Sequence, residues 1–288
     1  MPTTAQEVRA RLAPERLAEA ARVRARRAAD RAATARRWRG YPAERRRAAL
    51  VVGCQRSGTT MLIETLALAP EVWAYSEGTN RAFRNYRLRE PDRIEAIVRR
   101  GPAPVTALKP ICDSHLTDVL LDQHHGSRAI WIWRDHRDVA RSAITRWGDH
   151  QQEVIAALRA GRFADLGWRG ERIPDDALAR LRTATLAGPE DGAVLLWWLR
   201  NSHLFSLGLD RDPRVLVIRY EDLVGDPAPV LERAFGHLGL GVPPGAVAGI
   251  RTSRRQPADL AGVADDVAAL ADEMTARLAG ATAALDHG

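Results

Sequence analysis

The sequence predicts an α/β fold: a central parallel sheet flanked by helices, with helical extensions at the N- and C-termini. Three observations point there. Short apolar runs rich in Val, Ile and Trp alternate with longer segments of helical character, the order that a parallel sheet requires. The runs are apolar throughout, as strands covered on both faces are. The first of them, Leu50-Val51-Val52, leads into a tight glycine loop and at once into a helix.

The 288 residues suit one large α/β domain, or one domain with a helical appendage. A hydrophobic content of 45% is enough for a substantial core. No apolar run approaches the roughly 20 residues that cross a bilayer. No basic segment followed by an apolar core opens the chain, so no signal peptide and a cytoplasmic location are expected. The only cysteines are Cys54 and Cys112, one of them in the glycine loop, which argues against a structural disulfide. The net charge of +7 permits an anionic ligand without demanding one. Of 43 basic residues a single one, Lys109, is lysine. Lys109 is either a chance survivor of a bias toward arginine or a compact point charge in a role arginine cannot fill.

Residues 5–46, rich in Ala, Arg and Glu, read as one or two surface helices, and 1–46 as an N-terminal extension to a catalytic domain over 47–288. The basic stretch Arg22–Arg47 reads as a solvated helix face rather than a nucleic-acid or lipid site, because no aromatic residue interleaves before Trp38. Strand, loop and helix follow over 50–68. Gly53 and Gly58 stand in the G-x-x-x-x-G spacing of a P-loop, and the geometry aims backbone N–H groups and a helix N-terminus at a tetrahedral oxyanion. Thr59 stands where a nucleoside triphosphatase carries lysine; the cation is instead Arg56, inside the loop.

Val72–Tyr75 reads as a strand. It ends in Ser76-Glu77-Gly78, where open α/β sheets place their sites, so Glu77 is either a general base or an ordinary loop carboxylate. A short helix follows Pro91. Val105–Leu108 reads as a strand that puts Lys109 at its end, and Asp113-Ser114 as caps of a helix over Leu116, Val119 and Leu120. His124-His125 read as a surface pair. Ala129–Trp133 is the next strand. Arg134 closes it, and Ser142 lies two turns into the following helix. The two either converge on a second anion or serve as a strand-end ion pair and a solvent-facing serine. Residues 151–188 are helical and loop-like, a candidate substrate lid. A long helix over 193–209 carries Leu195, Trp198, Ser202 and Phe205 as a core stripe. Val215–Tyr220 is the last strand, residues 228–238 form a helix, Arg251–Arg255 a basic loop, and 258–285 an Ala-rich helix expected to pack outside.

Three separated pieces then line up: R-S-G-T-T at Arg56–Thr60, W-R-D-x-R-D-V-x-x-S at Trp133–Ser142 running on to Arg146, and R-Y-E-D-L at Arg219–Leu223. Together, over about residues 48–240, they resemble the sulfotransferases that use 3′-phosphoadenosine 5′-phosphosulfate (PAPS). The resemblance implies that Arg56, Ser57, Gly58, Thr59 and Thr60 hold the 5′-phosphosulfate. It implies that Arg134 and Ser142, assisted by Arg146, hold the 3′-phosphate, and that Tyr220 lies near the adenosine. The cytosolic phenol and steroid enzymes of this kind carry a histidine base in a K-x-H pattern. Here Lys109 is followed by Pro110 and Ile111, and His115 lies further on. Ser76-Glu77-Gly78 instead falls where tyrosylprotein and several bacterial sulfotransferases carry a glutamate base.

The expected catalytic residues are therefore Glu77, Lys109 and Arg56, with no metal. A dry pocket favours such a base, and Trp73 or Tyr75 are the nearby candidates to supply it. The R-K-G-x-x-G segment of the cytosolic enzymes is absent, so Arg254 and Arg255 receive no role. The expected acceptor is a small-molecule or peptidyl hydroxyl, with no nucleic acid and no membrane as partner. A P-loop kinase or NTPase, and a basic nucleic-acid-binding protein, are the alternatives.

Overall fold

The computed structural model describes residues 14–251 and 260–284. In chain order the elements are α1 (Pro14–Arg37), β1 (Arg47–Gly53), α2 (Thr59–Leu66), β2 (Val72–Tyr75), β3 (Phe83–Arg84), β4 (Arg87–Leu88), α3 (Pro91–Arg99), β5 (Val105–Leu108), α4 (Thr117–Gln123) and β6 (Arg128–Trp133). There follow α5 (His136–Trp147), α6 (His150–Arg159), α7 (Phe163–Leu166), α8 (Asp175–Thr183), α9 (Pro189–Ser206), β7 (Val215–Arg219), α10 (Tyr220–Gly225), α11 (Pro227–His237), α12 (Ala246–Gly249) and α13 (Asp265–Ala284).

Five strands pair in the order β2-β5-β1-β6-β7, every pair parallel. The strand β1 is central. Chain segments that follow it join the sheet on one side as β2 and β5, and on the other as β6 and β7. That switch opens a crevice beyond the C-terminal end of β1, where ligands bind in open α/β sheets. Alternate residues of each strand feed two cores. On one face Leu50, Val52, Trp131 and Trp133 pack with α9 and α13; on the other Val51, Ile130 and Ile132 pack with α2 and α11. Helix α9 is buried nearly all round, and it takes Asp191, Arg200, Asn201, Ser202 and His203 into the interior along with its apolar residues.

Several expectations change here. Asp113 and Ser114 cap nothing. They fall in a 3₁₀ turn over Ile111–Leu116, where Asp113 accepts from Arg87 Nε and the Leu88 amide, and Ser114 Oγ bonds the Gly53 backbone. Val119 is exposed. His124 is buried against Glu95 at 2.8 Å, and only His125 stands at the surface. The C-terminal helix α13 does not lie outside: Val267, Ala271, Met274 and Leu278 enter the core, and Trp133 Nε1 donates to Thr282 Oγ1 at 3.0 Å. The hairpin β3–β4 carried no sequence signal.

Helix α1 is a single helix, mostly exposed where its side chains are described, and Arg31 and Trp38 tie it to Tyr75 and Pro70. Residues 5–13, residues 252–259 of the basic loop, and residue 285 lie outside the described residues. Among the described residues no helix is long and apolar enough to cross a membrane.

Candidate active site

The loop after β1 is built on close approach. Gly53 has φ +128°, and a Cβ there would lie 2.3 Å from the Ile132 carbonyl oxygen, so the strand end admits only glycine. Gly58 has φ +88°, and its Cβ would lie 2.3 Å from Cδ2 of Tyr220. Between them Arg56 takes a left-handed φ of 69°, a conformation that costs a non-glycine residue energy and needs outside support. Ser142 supplies some, since Arg56 Nε donates to Ser142 Oγ at 2.9 Å; the guanidinium also lies over Trp147, 5.9 Å from the ring centroid. Ser57 is fully buried, and its Oγ has no hydrogen-bond partner among the described residues. A buried hydroxyl left in that state costs free energy unless a ligand meets it.

The other two sequence pieces close on this loop. Arg134, at the end of β6, stacks on Tyr220 at 4.5 Å and pairs with Asp138 at 3.0 Å, while its Nε is buried without a partner among the described residues. Glu221 accepts from the Asp135 amide at 3.0 Å and from Arg219 Nε at 3.1 Å, which joins the end of β7 to the end of β6. Arg134, Tyr220 and Gly58 thus form one cluster, and Arg56 with Ser142 another. Ser142 is half-buried and bonded to Arg56, and the strand-end ion pair of Arg134 is present alongside its stacking.

Glu77 and Lys109 meet. The ladder between β2 and β5 runs on by one bond, from the Lys109 amide to the Tyr75 carbonyl at 3.2 Å, so the residues that follow the two strands stay adjacent. Lys109 Nζ donates to Glu77 Oε2 at 2.6 Å, with side-chain exposures of 9% and 17%. Glu77 opens onto a cavity of about 370 Å³ that is also lined by Arg56, Arg146, Trp147, Arg169 and Trp197. Trp73 and Tyr75 do not dry this cavity. They line a separate groove of about 830 Å³ under α1, with Thr60, and both are engaged by Arg31. The apolar walls near Glu77 are Cys112, Leu196 and Trp197. Thr59 is buried at the first turn of α2, and Thr60 is exposed.

Other residues of the site left no motif. Cys54 and Cys112 line the cavity as free thiols, each pushed up to about 12, chiefly by burial. Both feel the charge of Arg200, which is buried in α9 and donates to the Ile111 carbonyl at 2.8 Å. An arginine inside the apolar run Leu195–Leu199 and Asn201 was the available signal for it. His115 is taken up elsewhere. Its Nε2 bonds Glu171 at 3.0 Å, and burial, then Arg200, hold its pKa below the ordinary histidine value. Glu171 also receives both terminal nitrogens of Arg87, at 2.6 and 2.9 Å. Among the described residues no group of three His, Cys, Asp or Glu is gathered as for a metal ion.

The residues that the sequence singled out thus gather at the C-terminal ends of β1, β2, β5 and β6 of the parallel sheet. Residues 46–256 match the sulfotransferase domain, and the chain belongs to that family; it is a sulfotransferase. Solved structures with similar folds include a sulfotransferase domain from the curacin biosynthetic pathway, at 14% identity over 79% of this chain and 96% of that one, with a TM-score of 0.50. A sulfotransferase from Alicyclobacillus acidocaldarius shares 16% identity over 83% and 95%, TM-score 0.46. A mouse sulfotransferase complexed with PAP shares 19% over 71% and 63%, TM-score 0.39. No curated protein matches the chain.

Proposed function

We propose that this sulfotransferase takes its sulfuryl group from PAPS and delivers it to the hydroxyl of a small molecule, with Glu77 as general base. The observation that carries the reading is the meeting in one cavity of Arg56, hydrogen-bonded to Ser142, with Glu77, held by Lys109. The residues fit the donor. Ser57 Oγ and Arg134 Nε are buried polar atoms without partners among the described residues, each beside a cluster that carries positive charge. Arg56, Ser57, Gly58, Thr59 and Thr60 would hold the 5′-phosphosulfate, and Arg134 and Ser142 the 3′-phosphate, with Tyr220 beside the adenosine. Arg146 lines the Glu77 cavity, one turn beyond Ser142.

When bound, PAPS supplies an activated sulfuryl group whose transfer leaves negative charge on a phosphate. The chain's own residues do the rest. Glu77 accepts the acceptor's hydroxyl proton on a carboxylate oxygen, a role that contributes about 10²–10⁴-fold. Lys109 fixes that carboxylate at 2.6 Å. Arg56 and the loop amides hold the anionic end, as preorganised donors do. Leu196 and Trp197, both buried, give the cavity an apolar wall. The glutamate-base subtype, the assignment of 47–288 as the catalytic domain with 1–46 as its extension, and a reducing cytoplasmic setting for the two buried thiols belong to the same reading.

The test is calorimetric titration with 3′,5′-ADP in metal-free buffer, with 5′-AMP and with ATP plus magnesium as controls. Tight, selective binding of 3′,5′-ADP supports the reading. Equal binding of all three, or binding only of ATP with magnesium, removes it.

A further inference from the structure

The Glu77 cavity holds an arginine that the donor assignment does not use. Its walls carry Arg56, Arg146 and Arg169 together with Glu77, which Lys109 holds. Arg56 belongs to the loop and Ser142. Arg169 enters from a different quarter, on a turn over Gly167–Gly170 that packs on the Ile111–Leu116 turn. Arg169, Cys112 and Glu77 line the same cavity, the one into which an acceptor hydroxyl would be presented to Glu77.

The fold holds Arg169 there. Immediately after it, Glu171 is gripped by Arg87 and His115, and Arg172 by Asp118 at 2.7 and 2.8 Å while donating to the His115 carbonyl at 2.9 Å. Arg172 takes a left-handed φ of 52° to do so. Arg169 is half-buried, and burial pulls its pKa below the ordinary guanidinium value. A guanidinium so placed offers a rigid fork that matches a carboxylate or a phosphate. The cavity's 370 Å³ lies near the lower end of the range for small-molecule sites, about 300–1,000 Å³, and Trp147, Leu196 and Trp197 give it an apolar wall.

We infer that the enzyme selects small acceptors carrying an oxyanion, a carboxylate or a phosphate, beside an apolar body and the reactive hydroxyl, and that Arg169 reads the oxyanion. This rests on the assignment of Glu77 as the base at that end of the cavity.

The test follows tryptophan fluorescence of the full chain saturated with 3′,5′-ADP. Matched probes are added: 4-hydroxyphenylacetate against 4-hydroxyphenylacetamide, mandelate against mandelamide, and 4-hydroxyphenyl phosphate as the phosphate arm. The expected result is at least one oxyanion probe bound tenfold or more tighter than its neutral partner or, for the phosphate, than 4-hydroxyphenylacetamide. The stronger arm identifies the oxyanion. Arg169→Gln should erase the preference while 3′,5′-ADP still binds, and Arg169→Lys should restore part of it. No oxyanion preference in the unaltered protein overturns the inference, whatever the variants do. So does a preference that survives in Arg169→Gln. Failure of 3′,5′-ADP to bind at the outset is the distinct signature of a wrong donor assignment, and it removes this inference with it.

Discussion

Gly58→Ala is the sharpest probe of how the sequence pieces cooperate. Alanine at φ +88° meets two penalties. The left-handed backbone costs a residue with a Cβ about 1–2 kcal/mol. The Cβ would also lie 2.3 Å from Tyr220 Cδ2 and 2.7 Å from Cε2, where ordinary contact begins at 3.4 Å, so the ring must move by more than 1 Å. Tyr220 carries Arg134 on its face at 4.5 Å, and losing that stack costs about 0.5–2 kcal/mol. The expected destabilisation is about 2–4 kcal/mol, read as the shift of a urea unfolding curve, with 3′,5′-ADP affinity falling as Arg134 is displaced. The control is the same change in a Tyr220→Ala background. There only the backbone penalty remains, and the cost should fall to about 1–2 kcal/mol. An equal cost in both backgrounds would refute the coupling of the loop to Tyr220.

Other expectations are simpler. Glu77→Gln should keep 3′,5′-ADP binding and lose about 10²–10⁴-fold in turnover with any acceptor found, measured by single-turnover assay; full activity would remove Glu77 from the base role. Arg134→Ala should weaken 3′,5′-ADP far more than 5′-AMP in calorimetry, and equal weakening would show that Arg134 does not read the 3′-phosphate. Stability should fall on mild acidification. Burial, with Arg200 adding to it, pushes His203 down to about 2 from an unfolded value near 6.5. The unfolded chain therefore binds the extra proton first, and stability that is full above pH 6.5 drains away as pH drops below it. This group alone contributes a slope of about 1 kcal/mol per pH unit, and His115, His136 and His237, also depressed by burial, act in the same direction. Unfolding free energies that stay flat between pH 6.5 and 4.5 would contradict this.

The sheet was legible because strands buried on both faces write themselves as unbroken apolar runs; four sequence strands match observed ones to within a residue, and β1 begins three residues earlier than read, at Arg47. The loop was legible because glycine spacing reports backbone geometry directly. Glu77 and Lys109 were placed at strand ends by the same logic, but their pairing was not. It follows from the lateral order β2-β5, which no local pattern encodes. Asp113 and Ser114 misled for the opposite reason. Their capping chemistry is a local preference, and long-range partners on Arg87, Leu88 and Gly53 overrode it. Helix α13 looked peripheral because alanine hides amphipathicity, its small side chains filling a core groove without the bulk that marks a buried face. Arg169 was invisible because what gives it meaning is the clamp on its neighbours.

That C-terminal helix also bears on where this protein can be cut. The match to the sulfotransferase domain stops at residue 256, nine residues before α13 begins at Asp265. A gene trimmed to the matched segment would drop the wall that covers β7 and α9, strip Trp133 of its Thr282 partner, and leave Phe205 without the Arg277 guanidinium that lies 4.0 Å above its ring. Such a fragment should emerge from expression in inclusion bodies, and adding α13 as a separate peptide during refolding is the natural route to rescue it.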